Sequence, residues 1–432
     1  MSSYDVAVVG RGAVGSAAAL AFGRAGRRVA LVGPLPASAS SAAASAASAT
    51  RTISATPARV DSLAAPDWDQ RVYALSPASR SLLTELGVWQ LLDPGRVAPV
   101  HDMRILQQPR SGGTSLPEVH LDAYRARVEA LAWIVENREL QGALDRALAT
   151  LPGPASLTRV DAEVDSLTLP LTAEERRPAS LGLAGGGRLS ASLVIGADGT
   201  GSRLREFAAI GHVVRDYEQT AIVANFEAER PHRDCAWQWF GGFGVVALLP
   251  LPSDDLGFGR SRVSLVWSAP RERAAQALAA GGEALAGEVE SMTVCRLGKL
   301  RMITPPASFP LRMVRCRQVI KPAFVLIGDA AHAIHPMAGQ GMNLGFGDVR
   351  GLMDYLMPAV GQAAHAAPDW LDLRRYERSR KEPVAAMQLA LDGLNRVFGH
   401  LPGPLVGVRD IGWSMVAKSA WLRRLMIAHA VS

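Results

Sequence analysis

The sequence predicts an α/β fold: a parallel sheet with helices on its faces, an antiparallel β-sheet inserted into it, and helices at the C-terminal end. Three observations predict this. The chain opens with strand, glycine-rich turn, helix and second strand within about thirty residues. Two later apolar strands run into glycine–acid turns, at Gly196-Ala197-Asp198-Gly199 and at Gly328-Asp329. Residues 220–270 read as short antiparallel strands, and from Leu352 onward the pattern is helical.

The 432 residues suit two or three folded units. A hydrophobic share of 48% against 20% charged is globular rather than disordered. Cys235, Cys295 and Cys316 lie far apart, with no CxxC and no Cys/His cluster. This excludes a disulfide framework and a zinc ribbon, and leaves them as small buried hydrophobes. No apolar run reaches the roughly 18 residues of a membrane span. Asp5 interrupts the N-terminal stretch and no basic segment precedes it, so no secretory signal is read. The expectation is a cytoplasmic protein, soluble or peripheral at the inner membrane. A net charge of +6 over 432 residues is too dilute to indicate nucleic acid. The excess concentrates late: from Trp370 to the end, ten Arg or Lys stand against five acids.

The first strand covers residues 4–9 and the first helix residues 16–24, with a second strand at 28–32. Between them stands Gly10-Arg11-Gly12-Ala13-Val14-Gly15. The first glycine permits the turn, the second lets a pyrophosphate approach the backbone, and the third lets helix and strand pack closely. Dinucleotide binding follows. The acid that normally ends the second strand and holds a ribose is missing: Gly33 and Pro34 follow Val32. Residues 37–50 are Ala/Ser low-complexity and read as a loop. An amphipathic helix is expected near residues 78–86. Residues 152–193 alternate short strands with turns.

The second chemical motif is Asp198-Gly199 at a strand's C-terminal edge, with a helix starting near Ser202. An Asp-Gly turn with a Ser cap is its plain structural reading. The third runs from Gly328-Asp329 through His332, His335 and Pro336 to Gly339-Gln340-Gly341-Met342-Asn343. A strand at 323–327 leads into it, and a Gly-Gln-Gly turn opens a helix. Free N–H groups at that helix start would face a ligand group that gains negative charge, as a reduced flavin does. His332 and His335 lack a third ligand, so no metal is expected.

These motifs, in this order and spacing, resemble the FAD-dependent aromatic hydroxylases of the para-hydroxybenzoate hydroxylase type. Within them the chain resembles the ring hydroxylases of ubiquinone biosynthesis. The likeness is carried by Arg71-Val72-Tyr73-Ala74-Leu75, Leu86-Gly87-Val88-Trp89, Val135-Glu136-Asn137, Ala247-Leu248-Leu249-Pro250-Leu251-Pro252, Ser264-Leu265-Val266-Trp267, the phrase HPMAGQGMNLG, and Leu391-Asp392-Gly393-Leu394-Asn395-Arg396-Val397-Phe398.

The resemblance implies a Rossmann-like FAD-binding domain (1–75, 131–212 and 301–365) with an inserted antiparallel β-sheet substrate domain (213–300, with 76–130 as a segment and connection) and C-terminal helices (366–432). It implies FAD on Gly10, Gly12, Ala13, Val14 and Gly15, with Asp198 and Gly199 in a fingerprint shared with NAD(P)H docking. Asp329 would bond the ribityl chain. Pro336, Gly339, Gln340, Gly341, Met342 and Asn343 would line the isoalloxazine. Arg71, Asn137 and Val164 match further FAD positions. Trp237, Trp239, Phe240, Leu249, Pro250 and His335 are the substrate candidates. Trp239 stands where the subfamily usually has Arg before Phe.

The implied reaction is hydroxylation of a prenylated phenol with NAD(P)H and O2 through a flavin C4a-hydroperoxide. No side chain declares itself a general base. A biosynthetic complex is an implied partner. So is a membrane, through a C-terminal stripe of Trp413, Val416, Ala417, Ala420, Trp421 and Met426 beside Lys418, Arg423 and Arg424. Docking of that stripe on the FAD domain is the alternative. A flavin-dependent reductase or dehydrogenase of an isoprenoid lipid, and an FAD-poor non-catalytic partner, are the rival readings of the whole.

Overall fold

A computed structural model describes residues 2–34, 68–107, 118–152, 156–175, 177–253, 259–334, 340–357 and 369–399. The 37–50 loop, His335, Pro336, Gly339 and the 413–432 stripe lie outside the described residues.

The Ser2–Val9 strand lies at the centre of a parallel sheet, between Arg188–Gly196 and Val29–Val32. Leu157–Val160 extends it on one side and Phe324–Leu326 on the other. Val6, Ala7, Val8 and Val9 are all buried, as strands covered on both faces require. The first helix, Ala13–Arg24, begins three residues before the expected position because Gly12 serves as its N-cap. Ten of its residues are buried, since Ala and Gly let it pack closely on all sides. The helices Asn137–Ala149 and Gln340–Leu356 lie against it. Between residues 156 and 196, short strands fold antiparallel onto Arg188–Gly196, matching the expected alternation with turns.

The second sheet has nine strands. His212–Ala228, Ser261–Pro270, Gly244–Leu251 and Cys235–Gly241 form its antiparallel centre. Two findings differ from the sequence reading. The sheet takes in Leu300–Met302 and Ala307–Cys316, so it runs past residue 300. Asp102–Gln107 joins Cys235–Gly241 in parallel, so the sheet is not purely antiparallel. A small sheet of Val72–Leu75, Ala132–Glu136 and Val97–Val100 lies beside it. The helix Pro77–Glu85 starts where expected, with Pro77 in its first turn and Ser76 Oγ accepting from Ser79 N–H (3.2 Å).

Two helices, Arg271–Ala279 and Gly282–Met292, cover one face of the large sheet. Their Ala274, Ala277, Leu285 and Val289 pack on Ile222, Phe226, Leu265 and Trp267. The other face turns toward Trp68, Ile134 and Ile334. The helix Trp370–Gly399 carries Pro383 inside it. Among the described residues no helix is long and apolar enough to cross a membrane.

Candidate active site

The glycine turn has the geometry its spacing implies. Gly10 has φ +114°, and a Cβ there would lie 2.1 Å from the Ala197 carbonyl oxygen. A Cβ on Gly15 would lie 2.0 Å from the Gly10 oxygen. These two glycines permit close packing. Gly12 is different: nothing lies within 4 Å of its would-be Cβ. The helix behind it has no side-chain cap and no acid in its first turn. Open space before uncapped N–H groups is a cradle for a phosphate-sized anion.

The end of the second strand explains the missing acid. Gly33 has φ +146°, a region that side chains avoid, and Arg11 Cγ would lie 3.4 Å from a Cβ there. Arg11 Nη1 donates to the Gly33 carbonyl (3.4 Å). The arginine side chain would make only ordinary contact with a Cβ there, so the positive φ rather than lack of room disfavours an acid at this place.

Asp198 lies beside this turn. Its Oδ2 accepts from Leu204 N–H (3.1 Å), while Oδ1 is buried without a partner. Gly199 has φ +82° and open space at its Cβ position. Ser202 caps the following helix through Arg205 N–H (3.0 Å), as expected. An unpaired buried carboxylate oxygen beside the open Gly199 fits a ligand that brings donors.

Asp329 sits in a turn at 328–330 packed on the glycine helix: a Cβ on Gly328 would lie 3.4 Å from Val14. Its side chain is solvent-accessible although protein surrounds it, the condition of a residue at the floor of a cleft. That surrounding mass pushes its carboxyl above the usual range; His332 and Arg71 oppose this and Asp348 adds to it. A Cβ on Gly341 would lie 3.9 Å from Asp329 Oδ1, so the Gln340–Leu356 helix begins beside this carboxylate.

Arg71 and Asn137 meet at the same cleft. The Arg71 guanidinium lies 5.9 Å from the Tyr73 ring and 5.6 Å from the Phe309 ring. Tyr73 Oη donates to Asn137 Oδ1 (3.1 Å). Burial pushes the Tyr73 hydroxyl up, Arg71 opposes it, and Asp329 and Asp69 add to it. Tyr73 was legible only as part of a resembling phrase, with no role attached.

The Asn343 side chain is taken up by protein partners at the helix start. Its Oδ1 accepts from Ser76 N–H (3.0 Å) and Ser79 Oγ (2.8 Å). Its Nδ2 donates to the Ala74 carbonyl (2.9 Å) and Gln340 Oε1 (3.0 Å). The side chain braces the helix start against the Val72–Leu75 strand. Val164, expected near an adenine, is buried among Val32, Ala179 and Leu181. Gln340, Gly341 and Met342 are half-buried at the helix start.

The substrate candidates divide by strand face. Trp237 and Trp239 stack at 5.9 Å and pack with Ala274 and Leu285 under the two covering helices. Pro250 stands opposite Val263, on the same covered face. The assignment of these three to substrate is corrected: side chains alternate along a strand, and theirs point away from the cleft. Phe240 and Leu249 point the other way, toward Ile334 and Ile134. With Leu249, the register puts Ala247 and Val266 on that open face, and all three are only half-buried. Central-strand residues that keep such exposure line a cleft. None of the three is charged; Gln238 stands opposite Ala247 and Ser264 opposite Leu249, so the floor is an apolar patch edged by neutral polar groups. The parity of Ala247 and Val266 with Leu249 was the only available signal.

Among the described residues, one trio could ligate a metal: Asp102, His120 and Asp122. It lies on the outermost strands, and His120 is already hydrogen-bonded to Asp102.

Comparison with known proteins gives the family and the fold. A family model described as FAD binding domain matches residues 144–389. The ubiquinone hydroxylase UbiL of Rhodospirillum rubrum is 33% identical over 379 residues, covering 86% of this chain and 81% of that protein. The 3-demethoxyubiquinol 3-hydroxylase of Escherichia coli is 31% identical, covering 99% of this chain and 98% of that one. Among solved structures, p-nitrophenol 4-monooxygenase PnpA from Pseudomonas putida DLL-E4 superposes with a TM-score of 0.69 at 15% identity, covering 100% and 99%. Klebsiella pneumoniae HpxO, complexed with FAD and uric acid, gives 0.65 at 16%, covering 100% and 97%. These two share the fold.

Proposed function

The chain belongs to the FAD binding domain family, among its ubiquinone-biosynthesis hydroxylases, and from that premise we propose that its cleft hydroxylates the aromatic ring of a prenylated phenol. It is an FAD-dependent monooxygenase. What supports the substrate class is the half-buried apolar patch of Ala247, Leu249 and Val266 on one face of the large sheet, where Leu249 shares a packed cluster with Ile334, five residues past Asp329.

FAD, when bound, supplies electron transfer from NAD(P)H and the activation of O2. The residues do the rest. Ala13, Val14 and Gly15 direct backbone N–H groups at the pyrophosphate. Asp329 accepts hydrogen bonds from sugar-alcohol hydroxyls. The start of the Gln340–Leu356 helix offers N–H groups and a positive dipole end to the ring edge that gains charge. Arg71, held between Tyr73 and Phe309, adds a cation at the rim. The apolar floor excludes water and presents the phenol ring.

The test is oxygen insertion. The purified protein should be yellow, and with NAD(P)H, 18O2 and a prenylated phenol it should give product carrying one labelled oxygen. NAD(P)H oxidation with no label in the product would favour a reductase. Colourless protein that binds no added FAD would favour a non-catalytic partner.

A further inference from the structure

The turn that carries Asp329 is gripped by buried charges that the function described so far does not use. Asp348, in the middle of the Gln340–Leu356 helix, accepts from Gly328 N–H (2.8 Å) and from His332 Nε2 (2.7 Å) through Oδ2. Its Oδ1 accepts from Arg380 Nε (2.8 Å) on the Trp370–Gly399 helix. Arg380 also donates to the Leu344 carbonyl (3.1 Å). From the opposite side, the Arg205 guanidinium donates to the Ala330 carbonyl (2.9 Å) and to the Thr200 carbonyl (2.9 Å). Asp348 is 1% exposed and Arg205 3%.

Burying such charges is a poor route to stability, since apolar groups of the same volume commonly do as well. Their geometry serves something else. One carboxylate fixes the N–H before Asp329 and one guanidinium fixes the C=O after it. The backbone on both sides of Asp329 is therefore pinned, and the pins come from the short helix Arg203–Phe207 after the second glycine–acid loop and from two longer helices.

We propose that Asp348 and Arg205 are positioning residues for FAD: they hold the turn at 328–331 so that the Asp329 carboxylate opens into the cleft beside Gly341. Arg380 makes docking of the Trp370–Gly399 helix part of the same device. The inference rests on the FAD reading of the cleft.

Apoprotein of the full chain, titrated with FAD by quenching of flavin fluorescence well below each melting midpoint, tests it. Asp348→Asn keeps the shape and an acceptor for Gly328 but removes the charge. Arg205→Met removes the grip on Ala330, and Arg205→Lys restores one donor. Asp348→Asn and Arg205→Met should each raise the FAD Kd about tenfold or more, which corresponds to about 1.4 kcal/mol of lost positioning. Arg205→Lys should recover part of that. Amide exchange at 328–333, measured without flavin, should speed up in the two weakened variants. Leu352→Ala, a fully buried site in the same helix, should lower the melting midpoint while leaving the FAD Kd unchanged. If Asp348→Asn does not fold, Arg380→Lys carries the same expectation for Kd and exchange. Wild-type Kd and exchange in the folded variants overturns the proposal, as does an equal rise in Kd for Leu352→Ala. Failure of the wild type to bind FAD overturns both this and the functional reading.

Discussion

Asp329 and Gly341 face each other across the cleft, close enough that a methyl on the glycine would touch the carboxylate at 3.9 Å. A turn from the parallel sheet and the start of a helix thus meet at one point, and that point is where both stability and ligand binding can be probed.

Gly341→Ala should separate the two. Gly341 is helical, and the added Cβ makes only ordinary contacts with Asp329 and Ile334. The apoprotein should gain at most about 0.5 kcal/mol, because Gly341 stands in the first turn of the helix, where glycine costs less than in the interior. FAD affinity should fall, because the methyl fills the gap between carboxylate and helix start. Calorimetry of the apoprotein beside an FAD titration reads both; a parallel rise in stability and affinity would contradict the placement.

Asp329→Ala should cost about 1.5–3 kcal/mol of FAD binding, the range for a hydrogen bond to a charged group. Because surrounding protein raises the Asp329 pKa, its charge disfavours folding at neutral pH. The apoprotein should therefore melt no lower after the substitution. A large drop in the apoprotein midpoint would show that Asp329 is structural.

Placing an acid after the second strand should not help. Gly33→Glu and Gly33→Ala should both lose about 1–3 kcal/mol of stability from a strained positive φ, without tighter FAD binding. The two are compared by denaturant midpoint and by FAD titration. A Gly33→Glu protein that binds FAD more tightly than Gly33→Ala would show the backbone adapting.

Substitutions on the two faces of the large sheet should differ in kind. Ala247→Phe fills the cleft floor and should raise KM for a prenylated phenol with FAD affinity unchanged. Trp239→Ala empties a site under the covering helices and should cost about 3–5 kcal/mol of stability. Steady-state kinetics with thermal melts distinguishes them. A KM effect confined to Trp239→Ala would restore the face rejected above.

The buried pair should set a pH window. Burial pushes Asp348 up, but His332 and Arg380 outweigh it and hold the carboxyl below its usual range. Burial pushes His332 down, but Asp348 outweighs it and raises the imidazole. A depressed carboxylate pKa gives stability that is present above about pH 4 and lost as pH falls through the folded value. A raised histidine pKa gives stability that is complete below about pH 6.5 and lost as pH rises through the folded value. The melting advantage of wild type over Asp348→Asn should therefore be widest between about pH 4 and 6.5. A difference that does not vary with pH would show the pair to be uncharged.

Much of the cleft was legible because backbone geometry dictates residue type. Gly10 and Gly15 cannot carry a Cβ, and Asp329 follows a buried strand, so their spelling betrays their place. The sheet's two faces were not legible. Trp237, Trp239 and Phe240 are all apolar, and nothing local says which parity is covered. The answer came from Arg271–Ala279 and Gly282–Met292, alanine-rich helices with a weak apolar stripe inside a stretch read as sheet. Asn343 and Asp348 act through partners more than 250 and some 20 residues away, and no spacing rule connects them.

The central strand of the parallel sheet also has a history in time. Ser2–Val9 is made before its neighbour Arg188–Gly196, which pairs with it from a point roughly 190 residues later. At about 5–20 residues per second, the ribosome delivers that partner roughly 10–40 s afterwards. The helix that seals the glycine turn from the other side, Gln340–Leu356, emerges later still. During that interval the edge of Ser2–Val9 that Arg188–Gly196 will pair has no partner, and unpaired strand edges with exposed apolar surface are what make a nascent chain prone to aggregate. Overproduction faster than that pairing can follow should deposit the chain as aggregate before any cofactor site exists.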